Sequence, residues 1–475
     1  MATCSDDRTT SHLTIRPFSH YQKPVHRPQE VSSGLMNRFF AFVAFLLMAG
    51  PALAQPGNPL RRLLRRDTAA VMRRVLADPA AHRLQLIYTQ IRRDAQGRPS
   101  FRSYTFRLRP REYFYPASTV KLPAAAAALE WLHFGTSMAD IVVRVGMAPP
   151  GQRYTVPRRN TPLQIDSAYA GQTRVLADST APAGRPTIEH YIRKVLLVSD
   201  NDAFNRLYEY TGQRALNRLL RVHGYRRSRI IHRLSVGDAE PGSRYTNPFR
   251  FSIDSAGTAK TLRQPPRYNS GPLPRLRAGH YRVGRAYLQG GRRVEQSFDF
   301  STKNNFPLRE QQRVLQALLF PQAGARRQRF SLDSADYPFL RKYLSLPPRL
   351  SQYPRYDAKE YPDNYAKFLL VGGPPAALPE GVRIYNKIGQ AYGFLIDNAC
   401  IVDSLRGVEF MLSAVVYCNQ DGVLNDDQYD YDTVGLPFLR RLGQLVYQYE
   451  LTRTDERRRA QVRAYWSAPH ERATP

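Results

Sequence analysis

The chain has 475 residues, of which 42% are hydrophobic, and a formal net charge of +31. This composition suffices for one large or two ordinary folded domains and excludes a chain without a hydrophobic core. The basic charge suits polyanions, such as nucleic acids or the anionic polymers and lipids of a cell envelope. However, the arginines are spread along the chain, and no zinc-finger or RNA-recognition signature is present. We therefore attribute the charge to compositional bias and expect no nucleic-acid partner.

The N-terminal region has the features of an export signal. Asn37-Arg38 is a short basic start, residues 39–49 are apolar, and Ala52-Leu53-Ala54 is a small-x-small cleavage site before Gln55. We interpret residues 1–54 as an upstream extension plus signal peptide, with Met36 as the true start; an unusually long basic region is the alternative. The apolar run is too short to span a bilayer, and no cysteine stands at the cleavage site for a lipid anchor. We expect a periplasmic or extracellular protein, without a membrane anchor and monomeric.

In chain order, the first half predicts helices with a pair of strands near its start. The strand pair is joined by a turn at Gln96-Gly97, and an alanine-rich helix begins at Ser118 and runs to about His133. Residues 145–186 are rich in Pro, Gly, Ser and Thr and predict a loop. The predicted helices are 60–77, 187–197, 202–210 and 213–222, and the predicted strands are 83–92 and 101–109.

The second half predicts an α+β fold rather than a purely helical one. Residues 250–350 have weak periodicity apart from a helix near 311–319, and we interpret them as an insertion in a domain spanning 55–452. The predicted later elements are a helix over 359–371, strands over 382–388, 393–403 and 408–418, a helix over 434–452 and a fraying charged tail over 453–475. The strands from both ends of the chain predict one antiparallel sheet flanked by terminal helices, and the middle helices an all-helical lobe. The cleft between sheet and lobe is the natural place for a site.

The cysteines predict no disulfide, although the expected compartment is oxidising. Cys4 leaves with the signal peptide. A tight turn near Arg406 places Cys400 opposite Met411 rather than opposite Cys418. Cys400 and Cys418 are therefore expected to be buried small residues.

Ser118 and Lys121 form the first of three short strings whose side chains could take part in catalysis. Three residues apart at a helix start, the two side chains share one face. A desolvated lysine can lose enough basicity to take the serine proton, and the helix N-terminus offers N–H groups to an oxyanion. The chain has only nine lysines against sixty-one arginines, and arginine cannot lose its proton, so lysine chemistry is indicated here. The alternative is a serine N-cap beside a solvated lysine.

The other two strings are Ser199-Asp200-Asn201, between two predicted helices, and Lys387-Ile388-Gly389, at a strand end. Ser199 could relay a proton to a leaving nitrogen, and Asn201 could hold a substrate amide; the alternative is an ordinary helix N-cap. Lys387 could bind a substrate carboxylate, and Gly389 would let a substrate approach the strand edge. The alternative is a strand that happens to end in Lys and Gly.

In this order and placement the strings resemble those of serine β-lactamases and penicillin-binding proteins, in particular class A β-lactamase-like serine hydrolases. The stretches that carry the resemblance are YPASTVKLP, HYIRKVLLVSDNDAFNRLYE and YNKIGQAYGFLIDNACIVD. The resemblance covers roughly residues 60–250 and 355–452. It implies a three-layer β-lactamase/transpeptidase-like fold and an enzyme acylated on serine, without metal or cofactor, that acts on a β-lactam or a peptidoglycan-type peptide.

The resemblance also implies a role for each matching residue. Ser118 is the acylated nucleophile, Lys121 the general base or part of the proton network, and Ser199 the proton shuttle. Asn201 contacts the acyl amide and Lys387 the substrate carboxylate. The backbone N–H groups of Ser118 and Gln390 form the oxyanion hole, with Gly389 leaving room beside them.

The chain departs from the family pattern at two places. Ile388 stands where Thr or Ser is usual, which removes a hydroxyl expected to bind the substrate carboxylate. The glutamate that activates the deacylating water has no clear counterpart; Asp238 falls at about the right place, with Glu240 nearby. We therefore expect a β-lactamase, with a D-alanyl-D-alanine peptidase-like or orphan amide or ester hydrolase as the alternative and a non-catalytic envelope-binding module as the third.

Overall fold

A computed structural model describes residues 57–144, 156–237, 240–255 and 258–467. The expected signal peptide, Met36 and Cys4 lie outside these ranges. The helices are α1 (Pro59–Arg66), α2 (Ala70–Ala77), α3 (Lys121–Arg144), α4 (Ile188–Leu197), α5 (Asn201–Thr211), α6 (Gln213–Val222), α7 (Leu308–Leu319), α8 (Asp336–Ser345), α9 (Leu436–Leu451) and α10 (Glu456–Trp466). Within the described ranges, no helix combines the length and the apolar character that crossing a membrane requires.

Strands from both ends of the chain form one antiparallel sheet of five strands. Their order is β10 (Val382–Ala391), β11 (Phe394–Asp403), β12 (Val408–Tyr417), β1 (Gln85–Arg93) and β2 (Pro99–Phe106). This is the predicted sheet, and β10 is one of its two edges. The strands of the three smaller sheets lie between α4 and α9 in sequence, except for β3, which precedes α4 and pairs with β4. The strands are β1 (Gln85–Arg93), β2 (Pro99–Phe106), β3 (Leu163–Ile165), β4 (Phe249–Ser255), β5 (Thr258–Gln264), β6 (Arg282–Val283), β7 (Ala286–Gln289), β8 (Arg292–Val294), β9 (Phe298–Asp299), β10 (Val382–Ala391), β11 (Phe394–Asp403), β12 (Val408–Tyr417) and β13 (Val423–Leu424).

The architecture is three-layered, as expected for the α+β class. Every residue of β11 and β12 is buried, because helices cover both faces of the sheet. On one face α1, α2 and α9 form a core with Leu60, Leu64, Phe438 and Leu442. On the other face α7 contacts the sheet, and beyond it α3 to α6 form the helical lobe around the apolar residues of α3.

The register of the meander confirms the prediction for the cysteines. Cys400 pairs with Met411 across β11 and β12. Cys400 and Cys418 are both buried and free. Burial raises the pKa of both thiols, so they behave as small apolar residues.

Residues 359–371 are not helical, contrary to the prediction. They form turns, because Pro362 lacks an N–H donor and the N–H groups of Phe368 and Leu369 donate to the Asp397 carboxylate at 3.0 and 2.9 Å. The periodicity of the segment reflects burial against the sheet.

Two further expectations need correction. The predicted fraying tail is 453–475, and its described part, residues 453–467, does not fray: α10 buries Val462 and Trp466, and the Trp466 indole donates to Glu409 at 2.9 Å. The 250–350 region is not wholly an insertion, since α7 belongs to the core. Its Gln312 accepts from Thr89 of β1 at 2.8 Å and donates to Ser413 of β12 at 3.0 Å.

Candidate active site

Ser118 lies on a single 3-10 turn, Ala117–Val120, that runs directly into α3. The Lys121 backbone N–H donates to the carbonyl oxygens of Ser118 and Thr119, so turn and helix are continuous. Ser118 itself is half-buried. The residue before it, Ala117, has φ +46°, a conformation that costs a non-glycine residue about 1–3 kcal/mol and is concentrated at functional sites. The N-cap of this turn is Pro116 and no side chain caps it, so the Ser118 hydroxyl is not a helix cap as in the alternative interpretation.

Lys121 is not the solvated lysine of the alternative interpretation, because it is fully buried at 0% exposure. Its Nζ donates to the carbonyl oxygen of Ser199, to Asn201 Oδ1 at 2.6 Å and to Ser199 Oγ at 3.3 Å. Burial lowers the pKa of this amine to about 7, although the Asp200 charge opposes the shift. A large fraction of Lys121 is therefore neutral near pH 7, and a neutral amine has a lone pair that can accept a proton.

Ser199 connects two lysines. Its φ of +61° turns its carbonyl and its hydroxyl toward Lys121, and the hydroxyl also accepts from Lys387 Nζ at 2.7 Å. Asp200, not Ser199, caps α5 by accepting from the Ala203 N–H at 2.8 Å. The N-cap of the alternative interpretation is therefore Asp200, and Ser199 contacts the two lysines instead.

Lys387 is the second buried lysine of the site, with 3% exposure. Burial and the nearby Lys121 charge hold its pKa well below the usual value, against the opposing charge of Asp397. Two ammonium groups that share one serine hydroxyl repel each other, so the state in which both lysines are charged is unfavourable.

Gly389 allows strand β10 to lie against the Ser118 turn. A Cβ at this position would stand 2.6 Å from the Pro116 carbonyl oxygen and 3.3 Å from the Ala117 Cβ. Only glycine permits this approach, which places the adjacent, exposed Gln390 beside the nucleophile's turn on the open edge of the sheet.

Replacing Gly389 with alanine is expected to push β10 away from the turn. Because the clash is with backbone, we expect a stability loss of about 1–3 kcal/mol and slower acylation by on the order of 10²-fold, the effect of a misplacement near 1 Å. Gly324→Ala is the matched control, since nothing lies within 4 Å of its Cβ position. Denaturant unfolding and acylation rates test the pair; equal rates in both variants would show that the close approach is unimportant.

The missing hydroxyl at Ile388 has a structural explanation. Neighbouring residues of a strand face opposite sides, so Ile388 points away from Lys387 and lies in the apolar cluster beneath α9 with Leu395 and Phe438. A hydroxyl on this side chain would lie in that core. The departure from the family pattern therefore follows from the packing of this face of β10.

Sequence reasoning missed two residues that hold the site together. Asn205 exchanges two hydrogen bonds with the Leu234 backbone, both 2.9 Å, and so fixes the following loop to α5. The next residue in that loop, Ser235, accepts from Asn201 Nδ2 at 2.8 Å. Asn205 stands four residues after Asn201 on one helix face, a spacing that could have revealed it. Ser235 had no such signal.

The two carboxylates considered for deacylation stand differently. Asp238 lies outside the described residues. Glu240 is exposed and forms an ion pair with Arg244, whose guanidinium also donates to the Asn269 and Gly271 carbonyls. The described contacts do not bring Glu240 to Ser118, Lys121 or Ser199.

A third buried lysine lies behind the site on the other face of β10. Lys367 Nζ donates to Asn386 Oδ1 at 2.6 Å and to two carbonyls at 2.8 Å, while Asn386 Nδ2 donates to Asp397 Oδ1 at 2.8 Å. Burial lowers the pKa of Lys367 to about 8, and burial raises that of Asp397. Asn386 is the neighbour of Lys387, so this network fixes the strand that carries the second site lysine. The rarity of lysine could have pointed to Lys367.

Lys367→Met is expected to destabilise the fold by about 3–5 kcal/mol, because Asp397 loses a buried counter-charge. Lys359→Met is the matched control: Lys359 is exposed, so its loss should cost less than about 0.5 kcal/mol. Urea unfolding measures both. Similar midpoints for the two variants would mean that the network contributes no stability.

A metal could be considered at one place among the described residues. Ligand atoms of His133, Asp333 and Asp336 lie within 4.8 Å of one another. However, Asp336 already binds Arg159 at 2.9 Å and His133 at 2.5 Å, which is the arrangement of an ion-pair network.

Comparison with known proteins bears on this site. The sequence model described as the Beta-lactamase enzyme family matches residues 76–264, a range that contains the Ser118 turn and the Ser199 string. The chain is β-lactamase-like. Lys387 and Gly389 lie beyond the matched residues, so their place in this β-lactamase-like site depends on the geometry above. Among proteins with curated functions, none matches the chain significantly.

Solved structures similar to this β-lactamase-like chain include three bacterial β-lactamases. That of Xanthomonas campestris is 17% identical, with a TM-score of 0.38, 82% of this chain and 97% of that chain covered. That of Sphaerobacter thermophilus is 14% identical (TM-score 0.38; 82% and 96% covered). That of Streptomyces albus G is 15% identical (TM-score 0.37; 79% and 99% covered).

Proposed function

We propose that this β-lactamase-like protein is a serine hydrolase that is acylated on Ser118 and hydrolyses the amide bond of a β-lactam. One observation carries the proposal: two buried lysines, Lys121 and Lys387, converge on the Ser199 hydroxyl beside the turn that holds Ser118. Buried lysines are rare and costly, and here they are arranged for proton transfer rather than for ion pairing.

In the first step, Ser118 Oγ attacks the β-lactam carbonyl carbon while its proton passes to the neutral Lys121 amine. Two of the contacts of Lys121, with the Ser199 carbonyl and Asn201 Oδ1, use the two N–H bonds of a neutral amine. The lone pair remains for the proton. The tetrahedral oxygen is stabilised by the N–H groups of Ser118 and Gln390 on the adjacent turn and strand.

In the second step, the C–N bond of the lactam breaks and the departing nitrogen takes a proton. The Ser199 hydroxyl supplies it and is reprotonated by Lys121 Nζ at 3.3 Å, which thereby gives up the proton taken from Ser118 and becomes neutral again. The protonated form of Lys387 attracts the substrate carboxylate, and Asn201 faces the acyl amide. The product of these steps is an ester on Ser118, which water then cleaves.

The alternative function is the same acylation on a D-alanyl-D-alanine-type peptide or another amide or ester. The open edge of β10 favours it, because an extended peptide can add to a sheet edge as a further strand. We further propose that the protein acts outside the cytoplasm, on the basis of the export signal in residues 36–54.

Turnover of a chromogenic cephalosporin distinguishes the two functions. A β-lactamase opens many equivalents of the compound per enzyme, whereas a peptidase-like protein opens one and stays acylated. A stable adduct without turnover, together with release of D-alanine from a D-alanyl-D-alanine peptide, would replace the proposal by the alternative.

Asp238→Asn tests the deacylation step. If Asp238 activates the water, its loss should slow deacylation by about 10²–10⁴-fold and leave the acyl-enzyme to accumulate. Glu240→Gln is the matched control, since Glu240 is exposed and paired with Arg244 and should change the rate little. Intact mass after a chase without substrate measures the remaining adduct. Unchanged turnover in the Asp238 variant would exclude this residue as the base.

A further inference from the structure

A cavity of about 690 Å³ next to the sheet is lined by five arginines and one exposed histidine: Arg83, Arg107, Arg109, Arg111, Arg227 and His280. Among the described residues that line it, Glu112 is the one carboxylate. With His280 neutral, five arginines less one glutamate leave a formal charge of +4 in one concavity. Although the arginines are spread along the sequence, the fold gathers these five from three separate segments.

The single carboxylate is already occupied. Both terminal nitrogens of Arg107 donate to the Glu112 carboxylate, at 2.8 and 2.9 Å. This bidentate pair is half-buried, with 11% and 13% side-chain exposure, so Glu112 has little capacity left for the other guanidinium groups.

Two other guanidinium groups are held in place by neutral acceptors. Arg83 donates to the carbonyls of Tyr113 at 2.9 Å and His280 at 3.1 Å. Arg227 donates to the carbonyls of Pro110 at 3.4 Å and Arg277 at 3.2 Å. Carbonyl oxygens orient these cations without neutralising them, so the positive charge is fixed in position before any ligand arrives.

The remaining two arginines, Arg109 and Arg111, are exposed at the rim, on either side of Pro110. Each guanidinium presents a planar pair of N–H donors that matches the oxygens of a phosphate group. An exposed rim and a fixed interior of the same charge form a cradle for a ligand with more than one anionic group.

We propose that this cavity binds a ligand carrying two linked phosphate groups. Diphosphates combine high charge density with oxygens spaced for several guanidinium groups, and a cavity of this volume has room for an organic group attached to them. The same chemistry occurs in free phosphorylated compounds and in phosphate-bearing lipid headgroups. The site is separate from the Ser118 turn and does not depend on the hydrolase activity.

Calorimetric titration with pyrophosphate in 0.15 M NaCl tests the proposal. We expect saturable binding of one equivalent, weakened at least tenfold by Arg109→Gln with Arg111→Gln. The matched control is Arg65→Gln with Arg66→Gln, an exposed pair on α1 that removes the same charge, with affinity expected within twofold of wild type. Equal weakening by both pairs would overturn the proposal, because the effect would then be that of net charge. The absence of saturable binding to both pyrophosphate and vesicles would overturn it as well.

Flotation with vesicles of phosphatidylcholine, with or without phosphatidate, identifies the source of the phosphate. Binding to phosphatidate vesicles that the Arg109 and Arg111 variant loses supports the site with a headgroup as ligand. Binding to pyrophosphate alone supports it with a soluble ligand. If both double variants still bind the phosphatidate vesicles, the proposal that this cavity binds a lipid headgroup is contradicted.

Discussion

Ser118→Ala is expected to form no covalent adduct with penicillin and to lose turnover by on the order of 10⁶-fold, the effect of removing a catalytic nucleophile. The hydroxyl is the atom that forms the new bond, and the neighbouring Thr119 hydroxyl is buried and donates to the Pro116 carbonyl at 2.7 Å. Thr119 therefore cannot substitute for it without breaking the turn.

Ser100→Ala is the control for this experiment. Ser100 is exposed on β2, and its loss should leave labelling unchanged. Thermal unfolding should show both variants within about 0.5 kcal/mol of the parent, as for substitutions away from core features. A Ser118→Ala protein that still binds penicillin covalently would place the nucleophile elsewhere.

Lys121 substitutions are expected to have the second largest effect. Lys121→Met removes the amine and should slow acylation by about 10²–10⁴-fold, the contribution of a general base. Lys121→Arg keeps the charge and the donors but cannot be deprotonated, so it should be equally slow. If the arginine variant acylates within about tenfold of wild type, Lys121 acts through its charge and not as a base.

The pH profile of the wild-type protein gives an independent check. The pKa of Lys121 is lowered to about 7, and only the neutral amine accepts a proton. Acylation should therefore rise about tenfold per pH unit below 7 and level off above it. Stopped-flow rates from pH 5 to 9 measure this; a flat profile would contradict the proton-transfer role.

Much of the site could be predicted from sequence because its chemistry is concentrated in short strings. Ser118 with Lys121 and Ser199 with Asn201 are local patterns, and the rarity of lysine made two positions stand out. The three strands of the meander were predicted from their length and apolar runs, and the position of Cys400 opposite Met411 followed from one turn. Such predictions depend on residues close together in sequence, and contacts with distant residues do not alter them.

The rest depends on contacts between residues far apart in sequence. The 359–371 segment has helical periodicity, but the N–H groups of Phe368 and Leu369 donate to the distant Asp397 carboxylate. The charged α10 looked like a tail because its anchor, Trp466, is one residue that packs on Tyr385 of β10. Likewise, Asp397 lies near Lys387 because β11 pairs with β10, and Lys367 lies near it because its amine binds Asn386 and the Ile384 carbonyl.

The central claim, that Ser118 becomes acylated, is tested most directly by peptide mapping after reaction with penicillin. Trypsin releases residues 112–121, EYFYPASTVK, as one peptide. We predict that this peptide gains the mass of one penicillin and that fragmentation assigns the gain to Ser118. A folded protein that forms no adduct when the reaction is quenched with acid during turnover, or that carries the adduct on any other residue, would contradict the account.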